Sequence, residues 1–384
     1  MLAIAAYSLS APSETFIRNH VRTLAPSQTI LLCQDGKGTK VLGCPVLSNI
    51  DPWHAPRTFH QRMVHAVHHR FRLYIDPSLR NVQRRRAVSF LKGHKATAML
   101  AEFGPMGCLL TGVCRDADIS LYVHFHGHDA SKLVRDRRQR RHYRRLFRVA
   151  AGIIAPSRFL AGELAAIGCP CEKLHVSPCG IDPRQFRPSK GLPGHILAVG
   201  RLVEKKAPHL TIEAFGRIAK RFPEARLDMI GDGPLWERCD ALVSGLGLQD
   251  RIHLHGVQDS DVVVTMMQRA SLFVQHSVTA EDGDTEGMPV AILEAMASAL
   301  PVVSTLHSGI PEAVEQGITG VLVREQDVDG MAEAMAELLA DPAKAAAMGA
   351  VGRSRVVERF TIDHTRDRLR AIMGLSGTLP AAAA

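Results

Sequence analysis

Short apolar runs alternate along the chain with longer stretches in which apolar positions recur every three or four residues. This rhythm predicts parallel strands joined by helices that cover both faces of a sheet. In the first half, residues 2–6, 29–32, 119–125 and 153–156 read as strands. A helix is expected to open at Ser13-Glu-Thr-Phe-Ile, with Ser13 as its N-cap. Residues 56–100 read as helices rich in Arg and His. The pattern breaks near Gly180-Ile-Asp182, where Pro183, Pro188, Gly191, Pro193 and Gly194 give a linker composition. A fresh strand begins at 195–199, and further strands are expected at 227–230, 252–254, 272–274, 302–304 and 320–323. The expected architecture is α/β, with two Rossmann-like domains facing across a cleft. They would span residues 1–185 and 195–365, and residues 366–384 would form a helix end and a disordered tail.

Apolar side chains make up 46% of the 384 residues and charged ones 22%. That suits two ordinary domain cores and excludes a disordered chain. No apolar run nears the roughly 20 residues of a membrane-spanning helix. The apolar opening lacks preceding basic residues and runs into Ser8 and Ser10, so it reads as a buried strand and not as a secretion signal. A cytoplasmic location is therefore expected. The eight cysteines form no Cys-x-x-Cys pair and no His/Cys set at zinc spacing, so reduced thiols are expected. Charge sharpens the picture. Residues 1–190 hold 29 Lys and Arg against 12 Asp and Glu, whereas residues 191–384 hold 18 against 26. A basic first half is expected to meet something anionic.

Candidate chemistry concentrates where strands end. Gly200-Arg-Leu-Val-Glu-Lys-Lys206 follows the strand at 195–199, where Arg201 and Lys206 could clamp a diphosphate; on their own they equally suit a solvated loop. Gly231-Asp-Gly-Pro234 and His255-Gly-Val257 end the next two strands. Gly231 and Gly233 allow close backbone approach, and Pro234 suits the start of a helix. The segment Glu286-Gly-Met-Pro-Val-Ala-Ile-Leu-Glu294 is the most informative. Gly287, Met288 and Pro289 lead into a helix, with Pro289 at its first position, and the N–H groups of that turn favour an anion. Glu294 lies inside an otherwise apolar helix, and an acceptor-only carboxylate suits a vicinal diol.

These residues resemble glycosyltransferase family 4, a group of retaining enzymes with the GT-B fold, and in particular its bacterial exopolysaccharide branch. The resemblance rests on Gly200-Arg-Leu with Lys206-Ala-Pro, Gly231-Asp-Gly-Pro, the pair Glu286 and Glu294, Ala295-Met-Ala-Ser with Pro301-Val-Val, and Ser308-Gly-Ile-Pro-Glu. It implies that Arg201 and Lys206 bind the donor diphosphate and stabilise the leaving group. It implies that Glu294 holds the ribose hydroxyls and that Glu286 contacts the transferred sugar. Backbone at Gly287 to Pro289 would meet phosphates or sugar. Gly200, Gly231, Gly233, Pro234, Gly256 and Val257 would line the donor pocket. In the first half, Ser13 and Glu14 resemble the opening loop of the branch, and His126 of His124-Phe-His-Gly-His-Asp occupies the position of the active-site histidine. Glu102 departs from the pattern: Leu100-Ala-Glu-Phe-Gly stands where many relatives carry His-x-His-Phe-Gly, which implies a different acceptor or a local role.

The implied reaction moves a hexosyl group from a UDP-, GDP- or ADP-sugar to a lipid-linked or glycan acceptor. Electrostatic stabilisation of the departing diphosphate would drive it, with no metal cofactor. Asp282-Gly-Asp284 has the spacing of a metal clamp but falls in the family's variable loop. Residues 135–148 include Arg135, Arg137, Arg138, Arg140, Arg141, Arg144, Arg145 and Arg148, interleaved with Tyr143, Leu146, Phe147 and Val149. This stretch reads as a helix on an anionic membrane surface. No nucleic acid partner is expected, since no recognition module accompanies the charge. Two other readings stay open: a nucleotide-sugar epimerase or hydrolase on the same fold, and an inactive membrane-binding scaffold.

Overall fold

The computed structural model describes residues 1–9, 14–34, 36, 38, 39, 42–50, 79, 81–188 and 191–375. The chain forms two compact units. The first comprises residues 1–156, 160–177 and the C-terminal stretch from 366; the second comprises 157–159 and 178–365. The change of unit thus falls at Pro178, ahead of the boundary expected at 185. Ile181 pairs with Thr361, and the Gly180 amide donates to Thr365 Oγ1 at 2.8 Å. A Cβ on Gly180 would lie 2.1 Å from the Thr361 carbonyl oxygen, so this close approach requires glycine. Residues after 366 were expected as a helix end. Helix Ile362–Ile372 continues through them, and its Arg370 donates to the Leu24 carbonyl within the first unit. The tail from 376 lies outside the described residues.

Among the described residues the first unit carries seven parallel strands: β1 (Leu2–Ala6), β2 (Thr29–Cys33), β3 (Val46–Leu47), β4 (Ala98–Glu102), β5 (Ser120–His124), β6 (Gly152–Ala155) and β7 (Leu174–Val176). Their order is β3-β2-β1-β4-β5-β6-β7. Strand order reverses between β1 and β4, which makes that junction the switch point of a doubly wound sheet. Strands β3, β4 and β7 were not expected. The first three residues of β4 fell inside the stretch read as helical, because Ala98-Met-Leu-Ala contains good helix formers and no β-branched residue. Burial on both faces overrides that propensity: Met99, Leu100 and Ala101 have no exposed surface. Around the sheet lie α1 (Thr15–Thr23), α2 (Asn81–Gly93), α3 (Gly104–Ala117), the short α4 (Gly127–Ala130) and α5 (Arg137–Val149). Ser13, expected as the α1 cap, lies outside the described residues, and Glu14 stands at the N-cap.

Among the described residues the second unit carries six parallel strands: β8 (His195–Val199), β9 (Arg226–Ile230), β10 (Ile252–Leu254), β11 (Leu272–Val274), β12 (Val302–Thr305) and β13 (Gly320–Val323). They take the order β10-β9-β8-β11-β12-β13, with the switch point between β8 and β11. The period-two alternation of a strand divides the core into two layers. Ile196 and Ala198 pack in one layer with Phe215 of helix α6 (Pro208–Ile218), whereas Leu197 packs in the other with Ile292 and Leu293 of helix α7 (Val290–Ala297). Burying each of the larger of these side chains contributes roughly 1.5–3 kcal/mol. Among the described residues, no helix is long and apolar enough to cross a membrane.

Candidate active site

Loops at the switch point of the second unit gather most of the expected residues. Gly200 has φ +158°, and a Cβ there would lie 2.7 Å from Cδ of Lys206, so glycine lets the lysine stem lie along the strand end. A small cavity is lined by Gly200, Arg201, Lys206, Pro208, Thr211 and Gln275. Arg201 is exposed, and its guanidinium makes no hydrogen bond or ion pair among the described residues. Lys206 Nζ donates to Gln275 Oε1 at 3.3 Å and lies 3.2 Å from Glu286 Oε1. Burial pulls the Lys206 ammonium below its usual value, with Glu286 opposing. Burial alone would raise Glu286, but Lys206 and then Lys205 outweigh it and hold its carboxyl below the usual range. Two cations thus share one cavity, and a carboxylate stands beside the inner one.

Glu286 is held by groups that sequence reasoning missed. Lys205 is buried, and its ammonium donates to Asp284 Oδ1 and to the Thr285 carbonyl, both at 3.0 Å. The backbone answers in the other direction, since Val278 N–H donates to the Lys205 carbonyl. Asp284, noted for metal-clamp spacing, is therefore engaged by Lys205. His307 Nε2 accepts the Glu286 N–H at 3.1 Å, and its Nδ1 donates to Glu325 Oε1 at 2.6 Å. Ser308 Oγ donates to the Glu286 carbonyl. Lys205 and Lys206 are adjacent and chemically alike, so spacing could not separate the loop anchor from the cavity cation.

Gly287, Met288 and Pro289 are buried and lead into α7. Pro289 is its N-cap, one position earlier than expected, with φ −63° already suited to the helix. The Gly287 carbonyl oxygen would lie 2.1 Å from a Cβ on Gly309, so the loop before α7 packs directly on backbone. Glu294 is half-buried, and its carboxylate has no partner among the described residues. Burial pushes it up to about 7. A carboxyl in that position lacks a donor that a ligand hydroxyl could supply.

The glycines after β9 allow close backbone approach between strand ends. A Cβ on Gly231 would lie 2.0 Å from the Gly200 carbonyl oxygen, and one on Gly233 would lie 2.5 Å from that of Leu202. Gly231 N–H also donates to the Gly256 carbonyl at 2.8 Å. These glycines let three strand ends close on one another. Pro234 is exposed and precedes its helix, Trp236–Leu246, without opening it. His255 Nε2 lies 2.7 Å from Asp228 Oδ1, and Val257 stays exposed.

In the first unit, β4 and β5 bring Glu102, His124 and His126 together. Glu102 Oε2 lies 3.0 Å from His126 Nε2, and Oε1 lies 2.6 Å from Nδ1 of His20 on α1. Phe16 and Phe103 flank the His126 ring, with centroids at 4.4 and 4.7 Å. Burial, aided by His124, lowers His126 to about 4, so the ring is neutral. Asp129 accepts the His126 and Gly104 N–H groups at 2.7 and 2.5 Å. Burial raises Asp129 to about 6 against those bonds. His126, which stands at the position of the expected active-site histidine, is thus a neutral, oriented imidazole.

Helix α5 corrects the membrane-helix expectation in one respect. Its His142, Tyr143, Leu146 and Phe147 are buried in the unit's own core. Arg137, Arg138, Arg141, Arg144, Arg145 and Arg148 are exposed, as is Arg135 just before the helix. Val149 is the one large apolar side chain of α5 on the exposed side. Asp136 caps the start by accepting from Arg138 and Gln139 N–H, and Lys173 binds the carbonyls of Phe147, Arg148 and Ala150 at the end. The outer face therefore offers charge and a single exposed apolar side chain, Val149.

Residues 184–355 match the sequence family described as Glycosyl transferases group 1, and residues 14–185 match Glycosyltransferase Family 4. WcaL of Salmonella typhimurium, a candidate colanic acid biosynthesis glycosyltransferase, is 38% identical over 251 residues, which is 63% of this chain and 61% of WcaL. The GDP-mannose-dependent alpha-(1-6)-phosphatidylinositol monomannoside mannosyltransferase of Mycolicibacterium smegmatis is 30% identical over 217 residues, covering 53% of this chain and 57% of its own. The chain thus spans about three fifths of the length of these curated relatives. The crystal structure of Anabaena Alr3699/HepE in complex with UDP-glucose shares the fold, with a TM-score of 0.76 at 17% identity over 98% of this chain and 99% of that one.

Proposed function

The chain belongs to glycosyltransferase family 4, and from that premise we propose that it moves a hexosyl group from a nucleotide-diphosphate sugar to a glycan acceptor, with retention of configuration. The observation that carries this reading is the cavity at the end of β8, where exposed Arg201 stands together with Lys206, which is paired with Glu286. Two cations suit a diphosphate whose negative charge grows as the sugar–phosphate bond breaks. Stabilising that charge lowers the barrier more than it tightens the ground state. Glu286, held ionised beside Lys206, suits the hydroxyls of the transferred sugar, and half-buried Glu294 suits the diol of the nucleoside ribose. The HepE complex contains UDP-glucose and the mycobacterial relative is named for GDP-mannose, so both belong among the donors to be tried.

The product would enter surface polysaccharide or glycolipid synthesis, and the likeness to WcaL supports the polysaccharide side. A lipid-linked acceptor fits the basic outer face of α5, which would hold the enzyme peripherally on an anionic bilayer by charge alone. The decisive experiment is a thermal-shift screen against UDP-glucose, GDP-mannose and ADP-glucose, followed by NMR of the anomeric configuration of the transfer product. Stabilisation by one of the three, lost in Arg201→Ala, is expected. No shift with any of them, or an inverted product, would overturn the donor assignment or the retention respectively.

A further inference from the structure

One carboxylate in the first unit faces three imidazoles and is hydrogen-bonded to two of them. Glu102 ends β4 opposite His124 in the register of β5, and it has no exposed surface. Its Oε1 lies 2.6 Å from His20 Nδ1; its Oε2 lies 3.0 Å from His126 Nε2 and 3.4 Å from His124 Nδ1. We propose that Glu102 is a positioning residue that holds His126 as the neutral ring protonated at Nε2, leaving Nδ1 as its proton-free nitrogen.

The argument is one of donors and acceptors. An ionised carboxylate only accepts hydrogen bonds. Burial favours the neutral acid, but the charge of His20 and the imidazoles of His20, His124 and His126 beside it hold Glu102 well below the usual carboxylate range. The two ring nitrogens hydrogen-bonded to it, His20 Nδ1 and His126 Nε2, must then carry hydrogen, and these two imidazoles lose their choice of tautomer. His126 loses its freedom to turn as well, because Phe16 and Phe103 close on its ring. The backbone that carries it is fixed by Asp129, which accepts from both His126 and Gly104 N–H. Ligand atoms of His20, Glu102 and His124 lie within 4.8 Å of one another, so a zinc ion is the competing occupant. The separations of 2.6 and 3.0 Å are those of charge-assisted hydrogen bonds, which favours the proton-ordered cluster.

The proposal rests on the transferase reading for what His126 serves, and not for its tautomer. The test uses the full chain labelled with nitrogen-15 histidine and long-range proton–nitrogen NMR, with the His126 ring assigned by its loss in His126→Asn. A ring protonated at Nε2 is expected in the wild type near neutral pH, with a mixed or Nδ1-protonated ring in Glu102→Gln. Turnover of UDP-glucose and GDP-mannose by the same two proteins should show kcat lower by roughly tenfold or more in the variant, with the donor KM changed by less than about twofold. A wild-type ring protonated at Nδ1, an unchanged ring in Glu102→Gln, or stoichiometric zinc in the purified protein overturns the proposal. Should Glu102→Gln not fold, the wild-type spectrum and the metal analysis decide it alone. Absence of turnover with either donor would count against the transferase reading while the spectra still decide the role of Glu102.

Discussion

Lys206 Nζ lies 3.2 Å from Glu286 Oε1, and this ion pair joins the end of β8 to the loop that enters α7. Each charge is largely out of water and depends on the other. Lys206→Met should therefore destabilise the protein by roughly 3 kcal/mol, as expected when one partner of a buried pair is removed. The double variant Lys206→Met with Glu286→Leu should recover most of that loss. Urea unfolding of the four proteins in the cycle measures it, and additive losses would show that the pair is not coupled.

Arg201 should behave in the opposite way. It is exposed and unpaired among the described residues, so Arg201→Ala should change stability by less than about 0.5 kcal/mol. If its charge meets the departing diphosphate, kcat should fall by roughly 100- to 1,000-fold. Melting curves and steady-state turnover with UDP-glucose and GDP-mannose separate the two quantities.

Glu294 gives a pH signature. Its folded value of about 7 lies above the ordinary 4.5, so the folded state holds the proton more tightly than the unfolded chain. Its stabilising contribution is full below the unfolded value and is lost as pH rises from there through about 7. Glu294→Gln should therefore gain thermal stability relative to the wild type as pH rises across that window. Affinity for nucleoside diphosphates should rise over the same range in the wild type, as the carboxylate forms, and stay flat in the variant. Calorimetric titration with UDP and GDP at several pH values checks both slopes.

The outer face of α5 should bind anionic bilayers through charge. Arg137, Arg141 and Arg148 are all exposed on it. Changing all three to Glu should weaken binding to phosphatidylserine vesicles by roughly 100-fold, at about 1 kcal/mol or more per residue. Vesicle sedimentation at low and high salt tests this, and salt-independent binding would contradict a purely electrostatic attachment.

Legibility followed the physical source of each signal. All six strands of the second unit were readable because Val, Ile and Leu runs sat between Gly- and Pro-marked loops. Arg201, Lys206, Glu286 and Glu294 were readable because charges at strand ends and inside an apolar helix need a reason. Strand β4 was not, since Ala98-Met-Leu-Ala is a strand only through burial between β1 and β5. Missing β4 hid the meaning of Glu102, whose three histidine neighbours come from α1, β5 and the loop after it. The glycines of Gly231-Asp-Gly were seen, yet their partners, the carbonyls of Gly200 and Leu202, are distant in sequence and gave no signal.

Lys205 has a practical consequence for anyone recombining relatives of this chain. Its ammonium binds Asp284 and Thr285, and its carbonyl receives Val278. Residues 204–206 and 277–289 therefore behave as one exchangeable part. A chimera that imports only a later loop without the carboxylate of Asp284 would leave the buried ammonium with a backbone carbonyl but no counter-charge, whereas exchanging both segments together keeps the seam between parent sequences intact.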